Sequence, residues 1–195
     1  LVDHLIRASA AACLAQRELE AQDFVERAAR RMMEWIEVVQ QGHSKTSYNL
    51  DFSTTRGILV MCLANLQGLE TSIRRYMDQT TDLPPGPAHN ARLAGLLLLQ
   101  RTAELPVTAA LCSLEDAGLG VPWKRFALAV PRSDLGVMQS AIDRWVQEKI
   151  EATQTQEWGV YNEVPVEISG ALALAARCGV HLKLDSNRIW PEFRV

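Results

Sequence analysis

Imidazole and thiolate groups are the side chains most apt to ligate a metal or act near neutral pH, so the four histidines and four cysteines are the first candidates for chemistry. His4, His43, His89 and His181 lie in four separate segments, and none is paired with another His at helical spacing. They read as structural or surface residues, and no metal site is expected. Cys13, Cys62, Cys112 and Cys178 are far apart, form no C-x-x-C pair, and sit among apolar neighbours. In that setting a cysteine behaves as a small buried hydrophobe. Reduced thiols and a cytoplasmic location are the expectation.

Gly42-His43-Ser44-Lys45-Thr46 has the flavour of a phosphate loop, because Gly-rich turns ending in Lys-Thr can cradle phosphates on backbone N–H groups. Ser44 stands where the motif needs glycine before the lysine, and the segment follows a helical pattern rather than a strand. A solvated loop is the better reading. No serine has a G-x-S-x-G setting. Glu34 with Glu37, and Glu115 with Asp116, are carboxylate pairs on expected helices, where solvation is the default. An acid/base pair would need opposed environments that drive the two pKa values apart. No catalytic residue and no cofactor is expected.

Cationic side chains form local groups: Arg27, Arg30 and Arg31; Arg74 and Arg75; Lys124 and Arg125. Nucleic-acid binding needs such a local stripe and not a basic total. Glu26, Glu34 and Glu37 interleave the first group, and the total is 20 Lys plus Arg against 23 Asp plus Glu, a net charge of −3. That balance argues against bulk attraction to nucleic acid or an anionic membrane. A C-terminal helix followed by a hairpin, with Arg177, Lys183 and Arg188, would also look like the end of a winged helix. The helix is poor in polar residues across 171–176, so it has little to offer base edges.

Trp35 and Trp145 fall on apolar stripes and read as core, whereas Trp158 and Trp190 fall in an irregular tail. Tryptophan in such a place is often an interface anchor. Trp158, Tyr161, Trp190 and Phe193 are therefore the candidate partner-binding residues.

The elements that must position these groups are mainly helical. Residues 3–41 contain no Gly or Pro, and one rod of that length would run about 58 Å. A break is expected near Gln22, where Asp23 and Glu26 have capping-box spacing. Gly42 to Asp51 reads as loop, with Ser53 or Thr54 as the next N-cap. Leu59, Cys62, Leu66, Leu69, Ile73 and Tyr76 then recur at the spacing of a bundle seam and predict one central helix. Pro84-Pro85-Gly86-Pro87 makes residues 80–89 a stiff linker.

Further helices are expected over 90–104, from Pro106 to Gly118–Gly120, from a Ser133 cap to about Thr153, and over 169–178, with one short helical turn in 122–130. Val160 to Val166 suggests an edge strand, and 181–190 a β-hairpin with its turn at Asp185-Ser186-Asn187. The longest apolar runs, such as Leu96 to Leu99, are far short of the roughly 20 residues that span a bilayer.

The expected fold is thus mainly α, a bundle of about six or seven helices (1–156) with a small α+β element (157–195) packed on it. The chain opens Leu1-Val2-Asp3 already in helical pattern, and so reads as a domain of something longer. With catalytic and metal signatures missing and long amphipathic helices in surplus, a protein-interaction or assembly module is the first functional expectation. Nucleic-acid binding through the C-terminal helix and hairpin is the second. An enzyme or small-ligand carrier with a pocket between helices is the third.

Overall fold

The Gly- and Pro-free N-terminal run does not make one rod. The computed structural model describes residues 2–40, 47–79, 85–86, 88–112, 120–154, 164–185 and 189–194, and in it α1 (Val2–Leu14) and α2 (Glu18–Gln40) are separate helices. The break falls at Gln16 instead of near Gln22, and Asp23 and Glu26 lie inside α2. Gln16 adopts a left-handed φ of 59°. Its N–H donates to the Cys13 carbonyl at 3.0 Å while that of Arg17 donates to Ala12 at 2.8 Å, the two crossing bonds of a Schellman ending. The chain can then fold back, and α1 packs along α2.

The seam over 59–76 is likewise divided. α3 (Ser47–Leu63) and α4 (Leu69–Gln79) are joined by a turn in which Asn65 and Gly68 have φ of 52° and 75°. Leu59, Cys62, Leu69, Ile73 and Tyr76 are all buried as the spacing requires. Spacing reports which residues face the core, and a bent pair of helices can meet that demand as well as a straight one. α3 also starts earlier than expected, so residues 47–51 are helical and Ser53 and Thr54 lie inside the helix.

α5 (Ala88–Leu98) starts within the expected linker, of which residues 80–84 and 87 lie outside the described residues. A 3-10 turn at Thr102–Glu104 leads to α6 (Leu105–Leu111), with Pro106 in its first turn as expected. α7 (Gly120–Ala129) is a full helix where one turn was expected, because Pro122 enters its first turn and interrupts nothing. α8 (Leu135–Gln154) is capped by Asp134, whose Oδ1 accepts from the Val137 N–H at 3.0 Å. Ser133 instead closes the preceding turn with φ of 51°.

The expected C-terminal β-structure is not found among the described residues, and residues 160–163 of the expected edge strand lie outside them. Val164, Pro165 and Val166 form the first turn of α9 (Val164–Arg177), where the missing proline N–H costs nothing. Gly179, φ 81°, ends α9 as expected. Beyond it no strand occurs among the described residues, and the hairpin reduces to one bridge between Leu184 and Arg194. Residues 186–188 of its expected turn lie outside the described residues. The tail's backbone groups find other partners: Trp190 N–H donates to Ser169 Oγ at 2.9 Å, and Leu184 N–H to the Phe193 carbonyl at 2.8 Å. The described residues therefore form nine α-helices, more than the six or seven expected.

One hydrophobic cluster runs through these helices. α9 packs on α3, α1 and α5, so the C-terminal segment shares the core of the bundle. Gly170 permits the α3 contact, since a Cβ there would lie 2.5 Å from the Leu59 carbonyl oxygen. Trp123, Phe126 and Trp145 form an aromatic group between α7 and α8, and Trp123 Nε1 donates to the Asn90 carbonyl at 3.2 Å. Among the described residues, no helix is long and apolar enough to cross a membrane.

Candidate functional site

Small side chains on one face of α9 leave space that the tail only partly covers. Ala173 and Ala176, with Leu172 beside them, oppose Leu63 at the end of α3, while Leu182 and Phe193 approach from the tail. Between them lies a solvent-open cleft of about 640 Å³. Its volume falls within the range of small-molecule sites, roughly 300 to 1,000 Å³. Gln22, Asn65, Arg177, His181, Lys183 and Glu192 supply its polar lining.

Each wall has its own support. The tail is fixed by Trp190, whose Nε1 donates to Gln22 Oε1 at 3.3 Å, and by Arg194, whose Nε donates to the Ile189 carbonyl at 3.0 Å. The Cys13 thiol donates to the same carbonyl at 3.7 Å. Arg177 is held by Asn65, whose Oδ1 accepts from Nη2 at 2.7 Å, and by Glu70 at 3.7 Å. Asn65 is itself the left-handed residue that ends α3, so a helix terminus and a side-chain anchor coincide.

Cys62 also lines the cleft, but burial pushes its thiol up to about 12, with Arg177 pulling weakly the other way. Such a thiol stays protonated at neutral pH and is a poor nucleophile. Partial desolvation raises the Glu192 carboxyl. A second, more polar cleft of about 550 Å³ lies across the 64–67 turn and involves Glu26, Arg30 and Glu34.

The residues singled out from sequence are dispersed. Trp190 is 5% exposed and belongs to the core, leaving little indole surface for a partner. Phe193 is half-buried against the core and lines the cleft. Trp158 and Tyr161 lie outside the described residues. Arg27 pairs with Asp23 at 3.3 Å and stacks over Phe24 at 5.8 Å, and Arg31 pairs with Glu34 at 2.7 Å. Arg30 is exposed on α2, and Arg74 and Arg75 on α4. Lys124 is half-buried and Arg125 exposed on α7, whose extensive neighbours are α8, α5 and α6. Arg177 and Lys183 do come together, though at the cleft and not on a wing; Arg188 lies outside the described residues.

His4 and His181 are exposed and His89 is buried, while His43 lies outside the described residues. All four cysteines are free thiols. Among the described residues no cluster of His, Cys, Asp or Glu could hold a metal ion.

Sequence reasoning missed the cleft because its parts come from α2, α3, α9 and the tail, with no local motif. It also missed the Arg56–Glu167 pair described below. A lone carboxylate in the apolar run 164–176 was the available signal for that pair. No family model matches the chain, and no curated protein or solved structure is significantly similar to it.

Proposed function

We propose that this domain binds a small molecule in the cleft between α3, α9 and the C-terminal tail. The carrying observation is the cleft's construction: a floor hollowed by Ala173 and Ala176, walled by a tail whose backbone is pinned to the helices. Pinning of this kind reduces the ordering that a ligand must otherwise impose. With Cys62 protonated, the reading is one of binding and not of thiol catalysis.

The test is fluorescence of anilinonaphthalene sulfonate with the wild-type chain and with Ala176→Trp, which fills the floor. Saturable one-site enhancement that disappears in the variant, at unchanged circular dichroism, is the expected result. Equal enhancement in both proteins overturns the reading. Native mass spectrometry of the purified chain would also show any small molecule it retains.

A second reading, self-association through an interaction surface, rests on α6. Val107 is 68% exposed and Leu111 37% exposed, with Ala110 exposed between them. This outward face carries no charge, so the same face on a second copy meets no repulsion. Light scattering over a concentration series, with Val107→Lys as the comparison, tests it: a concentration-independent monomer removes this reading.

A further inference from the structure

We infer that the cleft takes an amphipathic anion: a single oxyanion head held at Arg177, with an apolar chain or ring laid along the Ala173–Ala176 floor. The inference rests on the ligand-binding reading above and names the ligand class for that site.

The rim decides the head group. Arg177 and Lys183 place two basic side chains on the cleft, with His181 beside them, and Glu192 is the opposing acidic side chain. Glu70, solvent-exposed and 3.7 Å from Arg177 Nη1, is the carboxylate with which an incoming anion competes, and an exposed pair of that length is worth little.

Arg177 is the anchor because it is already ordered. Its Nη2 donates to Asn65 and its Nη1 lies 3.7 Å from exposed Glu70, a long pair that an oxyanion held more closely would replace, and the side chain is a quarter exposed. A guanidinium fork matches the two oxygens of a carboxylate, and one held in advance loses less rotamer entropy on binding. Lys183, exposed on the tail, adds a second basic side chain.

The floor decides the rest of the molecule. Ala176, Leu182 and Phe193 are partly exposed there, in front of buried Leu63, Leu172 and Ala173, and offer no side-chain hydrogen bonds, so a bare inorganic anion would leave their surface wet. A neutral hydrocarbon would leave the cations unused. Only a molecule with both parts satisfies both surfaces.

Calorimetry with decanoate, decanol and inorganic phosphate tests the assignment. Decanoate should bind at one site, decanol at least tenfold more weakly, and phosphate not at millimolar concentration. Arg177→Met should weaken decanoate about tenfold, as loss of a charge-assisted bond does. Lys183→Met, at an exposed position with little structural consequence, should weaken it a few-fold. Neither change should alter decanol binding, and Ala176→Trp should abolish both.

If decanol binds as tightly as decanoate and Ala176→Trp abolishes both, the cleft is a ligand site but the head-group assignment is overturned. If decanoate is insensitive to Lys183→Met and to Arg177→Met, the assignment also fails. Should neither amphipath bind, or should Ala176→Trp change nothing, the ligand-binding reading itself falls.

Discussion

Glu167 on α9, 1% exposed, accepts a hydrogen bond at 2.8 Å from Nε of Arg56 on α3, which is 16% exposed. The pair lies between the two helices whose ends form the cleft. Breaking a buried pair by removing one partner commonly costs about 3–5 kcal/mol, because the remaining charge loses its counter-charge in a poorly solvated place. Replacing both by apolar residues often costs far less. Glu167→Ala should therefore destabilise strongly in urea denaturation, while the double variant Arg56→Leu/Glu167→Leu recovers much of the loss. A cost below about 1 kcal/mol for Glu167→Ala would show that the pair is relaxed by water.

Two helical glycines should respond to alanine by different amounts. A Cβ at Gly170 meets the backbone carbonyl of Leu59 at 2.5 Å, which cannot move without shifting α3. Gly170→Ala is expected to cost about 1–3 kcal/mol by overpacking. A Cβ at Gly57 meets only the terminal methyl of Met32, the far end of a flexible side chain. Gly57→Ala should be close to neutral, since the gain in helix propensity, up to about 1 kcal/mol, offsets a rotamer change. Thermal melts of the two variants check the contrast, and equal losses would contradict it.

Among the described residues, four helix endings place a non-glycine residue at left-handed φ: Gln16, Asn65, Gln100 and Ser133. Each donates to the carbonyl three residues back while its successor donates to the one five back, as at Gln100 and Arg101. A side chain in this conformation costs about 1–2 kcal/mol, part of which glycine returns through greater unfolded freedom. Gln16→Gly and Gln100→Gly should each stabilise by about 0.5–1 kcal/mol in chemical denaturation. Loss of stability in both would mean that these side chains hold contacts of their own. Asn65→Gly is the instructive exception, because it also frees Arg177.

These endings explain what was legible in the sequence. The mainly helical architecture could be read from apolar spacing, and Gly179 and Pro106 marked an ending and a beginning where they were expected. The breaks at Gln16 and Asn65 could not be read, since neither residue is the glycine that usually signals a stop. Alternating residues 181–184 looked like a strand, yet burial of Ile189 and Trp190 against the helices settled that segment's path. The cleft was invisible for the same reason: Ala173, Asn65, Lys183 and Phe193 meet only through packing across long sequence separations.

Cys62 should make stability fall at high pH. Burial raises its thiol from 9.0 to about 12, so between those values the unfolded chain loses a proton that the folded chain keeps. The folded state then binds more protons, and stability must decrease as pH rises through this window. The contribution is fully present below pH 9.0. At pH 10 the loss from this one group should be about 1.4 kcal/mol. Cys13 and Cys178, also raised by burial, act in the same direction. The contribution of Cys62 is isolated by comparing urea midpoints of wild type and Cys62→Ala at pH 8 and pH 10. The variant should start less stable, because it loses buried volume, but should lose less between the two pH values. Parallel declines would mean that water reaches the Cys62 sulfur through the cleft. In that case the thiol would also react with a disulfide reagent in the native state, at a rate that rises with pH.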